Sequence, residues 1–203
     1  TDKKIFQIPF WINQNKFFEL KDKVQIREEL NISLDSYVVG SFQRDTEGSD
    51  LKSPKLSKGP DRFLEIARDM KRSKKNLTII LTGKRRNYLI ENFEKENIDY
   101  KYFEMVDFQT LNKLYNILDL YVITSRVEGG PRSLFECAIT KTPIISTNVG
   151  FASDILSPES IYDSINYKDA KPNIEYSKKI VKNYEIPNGI NNFIDMFSEI
   201  NES

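Results

Sequence analysis

Leu120-Tyr121-Val122-Ile123-Thr124-Ser125-Arg126-Val127-Glu128-Gly129-Gly130-Pro131-Arg132-Ser133-Leu134-Phe135-Glu136 is the stretch on which the fold turns. It opens with a short apolar, β-branched run, the pattern of a strand buried on both faces. Gly129 and Gly130 then allow a tight turn and close backbone approach to a ligand. Pro131 sits where a helix begins, a position that tolerates its missing N–H. The apolar pattern carries that helix to about Thr140. Strand, glycine turn and helix in that order form the unit of a parallel sheet covered by helices.

The same alternation extends outward in both directions. Upstream, residues 37–42, 77–82 and 100–103 read as strands. Between them, 60–72 and 88–96 read as helices, the first with Phe63, Leu64, Ala67 and Met70 on one face. Asp107 can cap a further helix carrying Leu111, Leu114, Tyr115 and Leu118. Downstream, 143–146 reads as a strand and 176–183 and 191–200 as helices. The expected fold is therefore α/β: a Rossmann-like parallel sheet with helices on both faces. Residues 1–30 differ, with an extended segment at 5–11 and a lead-in helix at 24–30, and the main domain follows over 31–203. The polar loop at 43–57 is long enough to be either functional or disordered.

Composition narrows the chemistry. Thirty basic residues balance thirty acidic ones in 203, so global charge gives no sign of a nucleic-acid partner. There is no histidine, which removes a His-based triad, a His-type zinc site and the usual neutral-pH base. No Asp-x-Asp occurs, so no metal site is expected. The single cysteine, Cys137, excludes an internal disulfide and fits a reducing, cytoplasmic setting. No apolar run reaches the roughly 20 residues of a membrane span. Thr1-Asp2-Lys3-Lys4 does not open like a signal peptide.

In an open α/β sheet, ligands bind beyond the carboxyl ends of the strands. That rule selects the loops after Phe42, Thr82, Phe103 and Thr124. Glu128 precedes the glycine turn and Glu136 lies more than a turn into the helix, so both carboxylates can flank one groove. A carboxylate accepts paired hydroxyls, such as those of a ribose or hexose. Taken alone, two glutamates at this spacing read as surface residues; the strand, turn and proline around them favour a ligand. Arg85 and Arg86, after Gly83 at a strand end, read equally as nucleotide contacts or solvated cations. Cys137 and Tyr102-Phe103 read as packing residues.

Residues 125–136 resemble the paired-glutamate motif of family 4 retaining glycosyltransferases of the GT-B fold. Glu128-Gly129-Gly130-Pro131 stands where the family usually has Glu-Gly-Phe-Gly. Thr142-Pro143-Ile144-Ile145-Ser146-Thr147-Asn148-Val149-Gly150 is similar to the family's next strand and turn, with Asp154 near a position often held by glutamate. Val38-Val39-Gly40-Ser41-Phe42-Gln43-Arg44 and Lys58-Gly59-Pro60-Asp61 match the segments that hold the donor diphosphate. Residues 5–18 resemble, more weakly, the family's crossover between two domains.

The resemblance implies the C-terminal, donor-binding domain of a GT-B enzyme. Its substrate would be a nucleoside-diphosphate sugar, with no other cofactor and no metal. Transfer of a hexose, with retention, would go to a glycan or lipid-linked acceptor. Arg44 and Lys58 would hold the diphosphate, Glu128 would contact the sugar near its reacting carbon, and Glu136 would bind ribose hydroxyls. Gly129, Gly130, Pro131, Arg132, Val106 and Arg85 would complete the nucleotide site. An N-terminal acceptor domain, in cis or in trans, would supply the partner surface and any peripheral membrane contact. The alternative is a non-catalytic nucleotide-sugar-binding module that partners another transferase.

Overall fold

The computed structural model describes residues 4–163 and 166–202. Six strands form one parallel sheet: β1 (Tyr37–Ser41), β2 (Leu77–Thr82), β3 (Tyr100–Phe103), β4 (Leu120–Ile123), β5 (Ile144–Thr147) and β6 (Ile161–Tyr162). Their spatial order is β3-β2-β1-β4-β5-β6, every pairing parallel. Among the described residues eight α-helices connect and cover them: α1 (Lys23–Glu29), α2 (Pro60–Ser73), α3 (Asn87–Glu96), α4 (Phe108–Ile117), α5 (Arg132–Thr140), α6 (Ala152–Ile155), α7 (Ile174–Val181) and α8 (Asn188–Glu202).

The apolar runs read as doubly buried strands are so because successive side chains point to opposite faces. Val38, Ile80, Tyr121, Ile123 and Ile144 enter one core layer with residues of α1, α4, α5, α6 and α7. Val39, Ile79, Leu81, Leu120, Val122 and Ile145 enter the other, against α2 and α3. Phe63, Leu64, Ala67 and Met70 are buried on α2 as their spacing requires. Asp107 caps α4, accepting from the Thr110 amide at 2.7 Å.

The lead-in segment belongs to this core. Ile12, Phe17 and Ile26 are buried in the first layer. Ile12 bridges to Glu185 near the other end of the chain, its amide donating to the Tyr184 carbonyl at 2.8 Å. Residues 4–11 form no strand; Pro9 has no amide to offer a ladder. Arg27 of α1 donates to the Ile117 carbonyl at 2.8 Å and to Asp119 Oδ2 at 2.7 Å, which itself accepts from the Val38 amide. Asp119 thus fastens α1 to the sheet.

Several boundaries differ from the expected ones by one to three residues, and two short elements were not expected. β4 stops at Ile123 because Thr124 turns its hydroxyl to the Gly59 carbonyl at 2.8 Å. Pro131 is the residue that caps α5 (φ −65°, ψ 122°), one position before the helix proper. α6 and β6 have four and two residues, too short to carry a period that sequence could show. Residues Thr1–Lys3, on which part of the leader argument rests, lie outside the described residues.

Candidate functional site

The strand order reverses between β1 and β4, so the crevice of this fold opens where their carboxyl-terminal loops diverge. Three turns meet there. Gly150 follows β5 with φ 54°, and a Cβ on it would lie 2.7 Å from Gly130 Cα. Gly59, before α2, has φ 65°, and its Cβ would lie 2.0 Å from the Thr124 carbonyl oxygen. Both positions need glycine for conformation and for space. The Arg126 amide donates to the Ser57 carbonyl at 2.8 Å. The Arg126 guanidinium forks onto Asp61 at 2.8 and 2.6 Å, and that bond holds the Asp61 carboxyl below its ordinary range.

This docking brings Lys58 to Glu128. Lys58 Nζ lies 2.8 Å from Glu128 Oε1, with the Glu128 side chain only 8% exposed. The Ser125 hydroxyl donates to the same carboxylate oxygen at 2.6 Å. The Gln43 amide donates to the Lys58 carbonyl at 2.8 Å, tying the loop after β1 to the same turn. Arg44, the next residue, is exposed and makes no hydrogen bond or ion pair among the described residues. The helix beyond Gly129-Gly130 has no side-chain cap, leaving its first amides available to an anion.

Glu136 lies on the other side of the glycine turn, facing a cavity of about 180 Å³ shared with Phe10, Lys16, Phe17, Phe108 and Arg132. Tyr115 of α4 donates its hydroxyl to Glu136 Oε2 at 2.6 Å. Burial pushes the Glu136 pKa up, opposed by the Tyr115 hydrogen bond and the charge of Arg132. Arg132 itself is exposed and stacks on the Phe10 ring at 5.3 Å. The two glutamates are thus held in different surroundings: Glu128 with a cation, Glu136 in an aromatic-walled recess.

The remaining expected contacts fall less centrally. Arg85 is exposed in a left-handed conformation (φ 61°). Its carbonyl accepts from the Asp45 and Thr46 amides, so its backbone anchors the loop after β1. Arg86 is no nucleotide contact. It is 1% exposed, paired with buried Asp45 at 3.0 Å, and donates to the Ser41 and Thr82 carbonyls at 2.6 and 2.9 Å. Val106 is half-buried against the first core layer at the β3 edge of the sheet. Asp154 is exposed on α6. Cys137 is buried, which raises its thiol pKa well above the ordinary value and leaves it unreactive.

Sequence reasoning missed Gln43, Tyr115, Ser125 and the Arg126–Asp61 pair. Gln43 and Ser125 flank recognised residues and could have been suspected; Tyr115 and Asp61 are brought in by topology alone. A larger cavity, about 480 Å³, is elsewhere, between α2 and the turn at Tyr167–Asp169, and none of the predicted site residues lines it. Among the described residues no cluster of three or more carboxylates or thiols could hold a metal ion. No helix there is long and apolar enough to cross a membrane.

The family model for glycosyl transferases group 1 matches residues 52–193, and the chain belongs to that family. Its fold is that of a GT-B C-terminal domain. Sucrose-phosphate synthase from Thermosynechococcus elongatus superposes with a TM-score of 0.73 at 16% identity, over 95% of this chain and 52% of that one. Anabaena HepE in complex with UDP-glucose gives 0.71 at 15%, over 93% and 56%. The C-terminal domain of LpcC, a group 1 glycosyl transferase from Francisella tularensis, gives 0.63 at 17%, over 92% and 98%. The chain therefore spans about half the length of the first two and nearly all of the third. No curated protein sequence matches it.

Proposed function

We propose that this chain binds a nucleoside-diphosphate sugar as the donor half of a retaining, metal-independent hexosyltransferase that transfers to a glycan or lipid-linked acceptor. The observation that carries the reading is the pairing of Lys58 with Glu128 at the β1/β4 switch point, across the glycine turn from Glu136 and Tyr115. The Lys58–Glu128 pair supports this reading, since it sets a cation for the diphosphate beside a carboxylate for the sugar. Arg44, Lys58 and the first amides of α5 face the diphosphate. Glu128 meets the sugar, and Glu136 takes the ribose hydroxyls. HepE, similar in fold, is known in complex with UDP-glucose.

The diphosphate gains negative charge as the glycosidic bond breaks. Cations and amides fixed in place stabilise that charge without reorganising. The chain has no histidine, and the leaving phosphate oxygen itself takes the acceptor proton in this scheme. The acceptor and the opposite wall of the cleft come from an N-terminal domain, in cis or in trans.

Calorimetry with a panel of nucleoside diphosphates and their sugars tests the reading. At least one should bind, and Glu136→Ala should weaken it by about 1.5–3 kcal/mol, the worth of a charged hydrogen-bonding group. Failure of the unaltered chain to bind any of them would remove the donor-site assignment. Binding without turnover, once a complementing acceptor domain is supplied, would favour the non-catalytic module instead.

A further inference from the structure

The carboxylate assigned to the ribose has no cation bonded to it. Among the described residues Glu136 accepts one side-chain hydrogen bond, from the Tyr115 hydroxyl to Oε2 at 2.6 Å, and Oε1 accepts none. Arg132 acts on it through charge alone. The Tyr115 hydroxyl is placed by the packing of its ring. The residue is 2% exposed, and its ring centre lies 4.9 Å from that of Phe42, 5.6 Å from Tyr121 and 6.1 Å from Phe17. The Thr142 hydroxyl donates to the Tyr115 carbonyl at 2.9 Å and fixes the backbone beneath the ring. A phenol has one proton to give. Burial and the neighbouring carboxylate raise the Tyr115 pKa well above its ordinary value, so the proton stays on the phenol and the bond runs from Tyr115 to Glu136. The carboxylate is thus held to a ring that three others hold in turn.

From this geometry we infer that Tyr115 is a positioning residue for nucleotide binding: it holds Oε2 of Glu136 and so leaves Oε1 to the ribose hydroxyls. The inference rests on reading Glu136 as the ribose carboxylate. Glu136 lines the recess and Tyr115 does not, so Tyr115 acts through Glu136. A side chain that carries a ligand contact needs its rotamer held by its neighbours. The bond has a second effect. It favours the charged form of Glu136, against the burial that raises its pKa. An ionised carboxylate only accepts, as paired hydroxyls require, whereas the protonated acid carries a donor of its own. The groups facing Glu136 are Tyr115 from α4, Tyr121 from β4, Arg132 and Cys137 on its own helix, and Lys16 across the recess. Burial raises the pKa of both tyrosines and of the thiol, which keeps them neutral. On acidification Glu136 is therefore the member of this set that takes up a proton. Affinity for the ribose is present above its pKa and lost as the pH falls through it. Without the Tyr115 bond that pKa rises further, and the loss sets in at higher pH.

The test is calorimetric binding, from about pH 5 to 8, of inorganic pyrophosphate, of UDP, GDP and ADP, and of the 2′,3′-dideoxy form of whichever nucleotide binds best. The proteins are the unaltered chain, Tyr115→Phe and Glu136→Gln. Tyr115→Phe keeps the ring and removes only the hydroxyl. It should weaken the best nucleotide by about tenfold, the scale of a lost hydrogen bond to a charged group. The dideoxy form and pyrophosphate should bind it as they bind the parent. The acid-side loss of nucleotide affinity should move to higher pH in Tyr115→Phe and disappear in Glu136→Gln, which cannot titrate. A purely structural tie between α4 and α5 would move neither the ribose preference nor the pH profile. Unchanged affinity and profile in Tyr115→Phe would overturn the inference, as would an equal loss of nucleotide, dideoxy form and pyrophosphate. So would an acid-side loss that persists in Glu136→Gln, a result that does not depend on how well Tyr115→Phe folds. A parent that binds the ribo and dideoxy forms alike would overturn the ribose assignment of Glu136, and this inference with it.

Discussion

Lys58 Nζ sits 2.8 Å from Glu128 Oε1, so a phosphate entering the crevice competes with that carboxylate for the ammonium. The competition has a measurable sign. Glu128→Gln keeps the shape and can still accept from Ser125, but it removes the charge that holds Lys58. A nucleoside diphosphate without its sugar should then bind about 3- to 10-fold more tightly, as the loss of a competing bond worth ~0.5–1.5 kcal/mol allows. Turnover of the nucleotide sugar should fall, because the same carboxylate is assigned to the sugar. Calorimetry with the diphosphate alone separates the two effects. Equal or weaker binding would mean that the pair does not oppose the phosphate. At this scale the sequence was informative where residue type, spacing and turn chemistry coincided: Glu128 and Lys58 stand out beside glycines, and Glu136 by its spacing from Glu128. Tyr115 did not, since its apolar helical spacing conceals a hydroxyl aimed at Glu136.

The elements carrying these residues are joined by two ion pairs of different kinds. Arg86 and Asp45 are both almost wholly buried, and they pin the loop after β1 to the turn after β2. Removing one partner leaves the other charge buried and alone, a cost of about 3–5 kcal/mol. Arg86→Met should therefore lower the melting temperature sharply, and a variant as stable as the parent would contradict the structural role. Arg126 and Asp61 are about one-third exposed. Their pair is worth no more than about 1 kcal/mol to stability, yet it docks the Lys58 turn against the Glu128 turn. Arg126→Ala should melt close to the parent while binding the diphosphate more weakly. The strands and long helices were legible because burial on two faces, or on one, imposes a period. Arg86 was not: an arginine after a glycine at a strand end looks the same whether it faces a ligand or is covered. Here the returning loop at 43–57 covers it, and that fold-back leaves no periodic trace in the sequence. β6 and α6 escaped notice for a simpler reason, being shorter than any period they could display.

At the scale of the whole molecule, the four residues assigned to the diphosphate, sugar and ribose, Arg44, Lys58, Glu128 and Glu136, lie within 44–136 and at the carboxyl-terminal edge of one sheet. Their supports are internal. Gln43, Ser125, Tyr115, Arg126 and the glycine turns all belong to the same packed body, and the lead-in segment closes on it through Ile12 and Glu185. Donor binding should therefore need nothing beyond these 203 residues. Transfer makes other demands. An acceptor must be held at near-attack distance, and correct placement is worth several kcal/mol or more of the barrier. The crevice is walled by this domain on one side, and water near the anomeric carbon weakens the fixed charges that act on the leaving group. The chain also spans only 52% of sucrose-phosphate synthase and 56% of HepE, whose folds it shares over that portion. The expected behaviour of the isolated chain is donor binding in the micromolar-to-millimolar range, about −8 to −4 kcal/mol, with slow hydrolysis at most. Incubation with several nucleotide sugars and a broad panel of glycan and lipid-linked acceptors, followed by product analysis, measures both. Robust transfer to any acceptor by these residues alone would show that the acceptor wall is already present, and the half-enzyme reading would fail while the donor site stood.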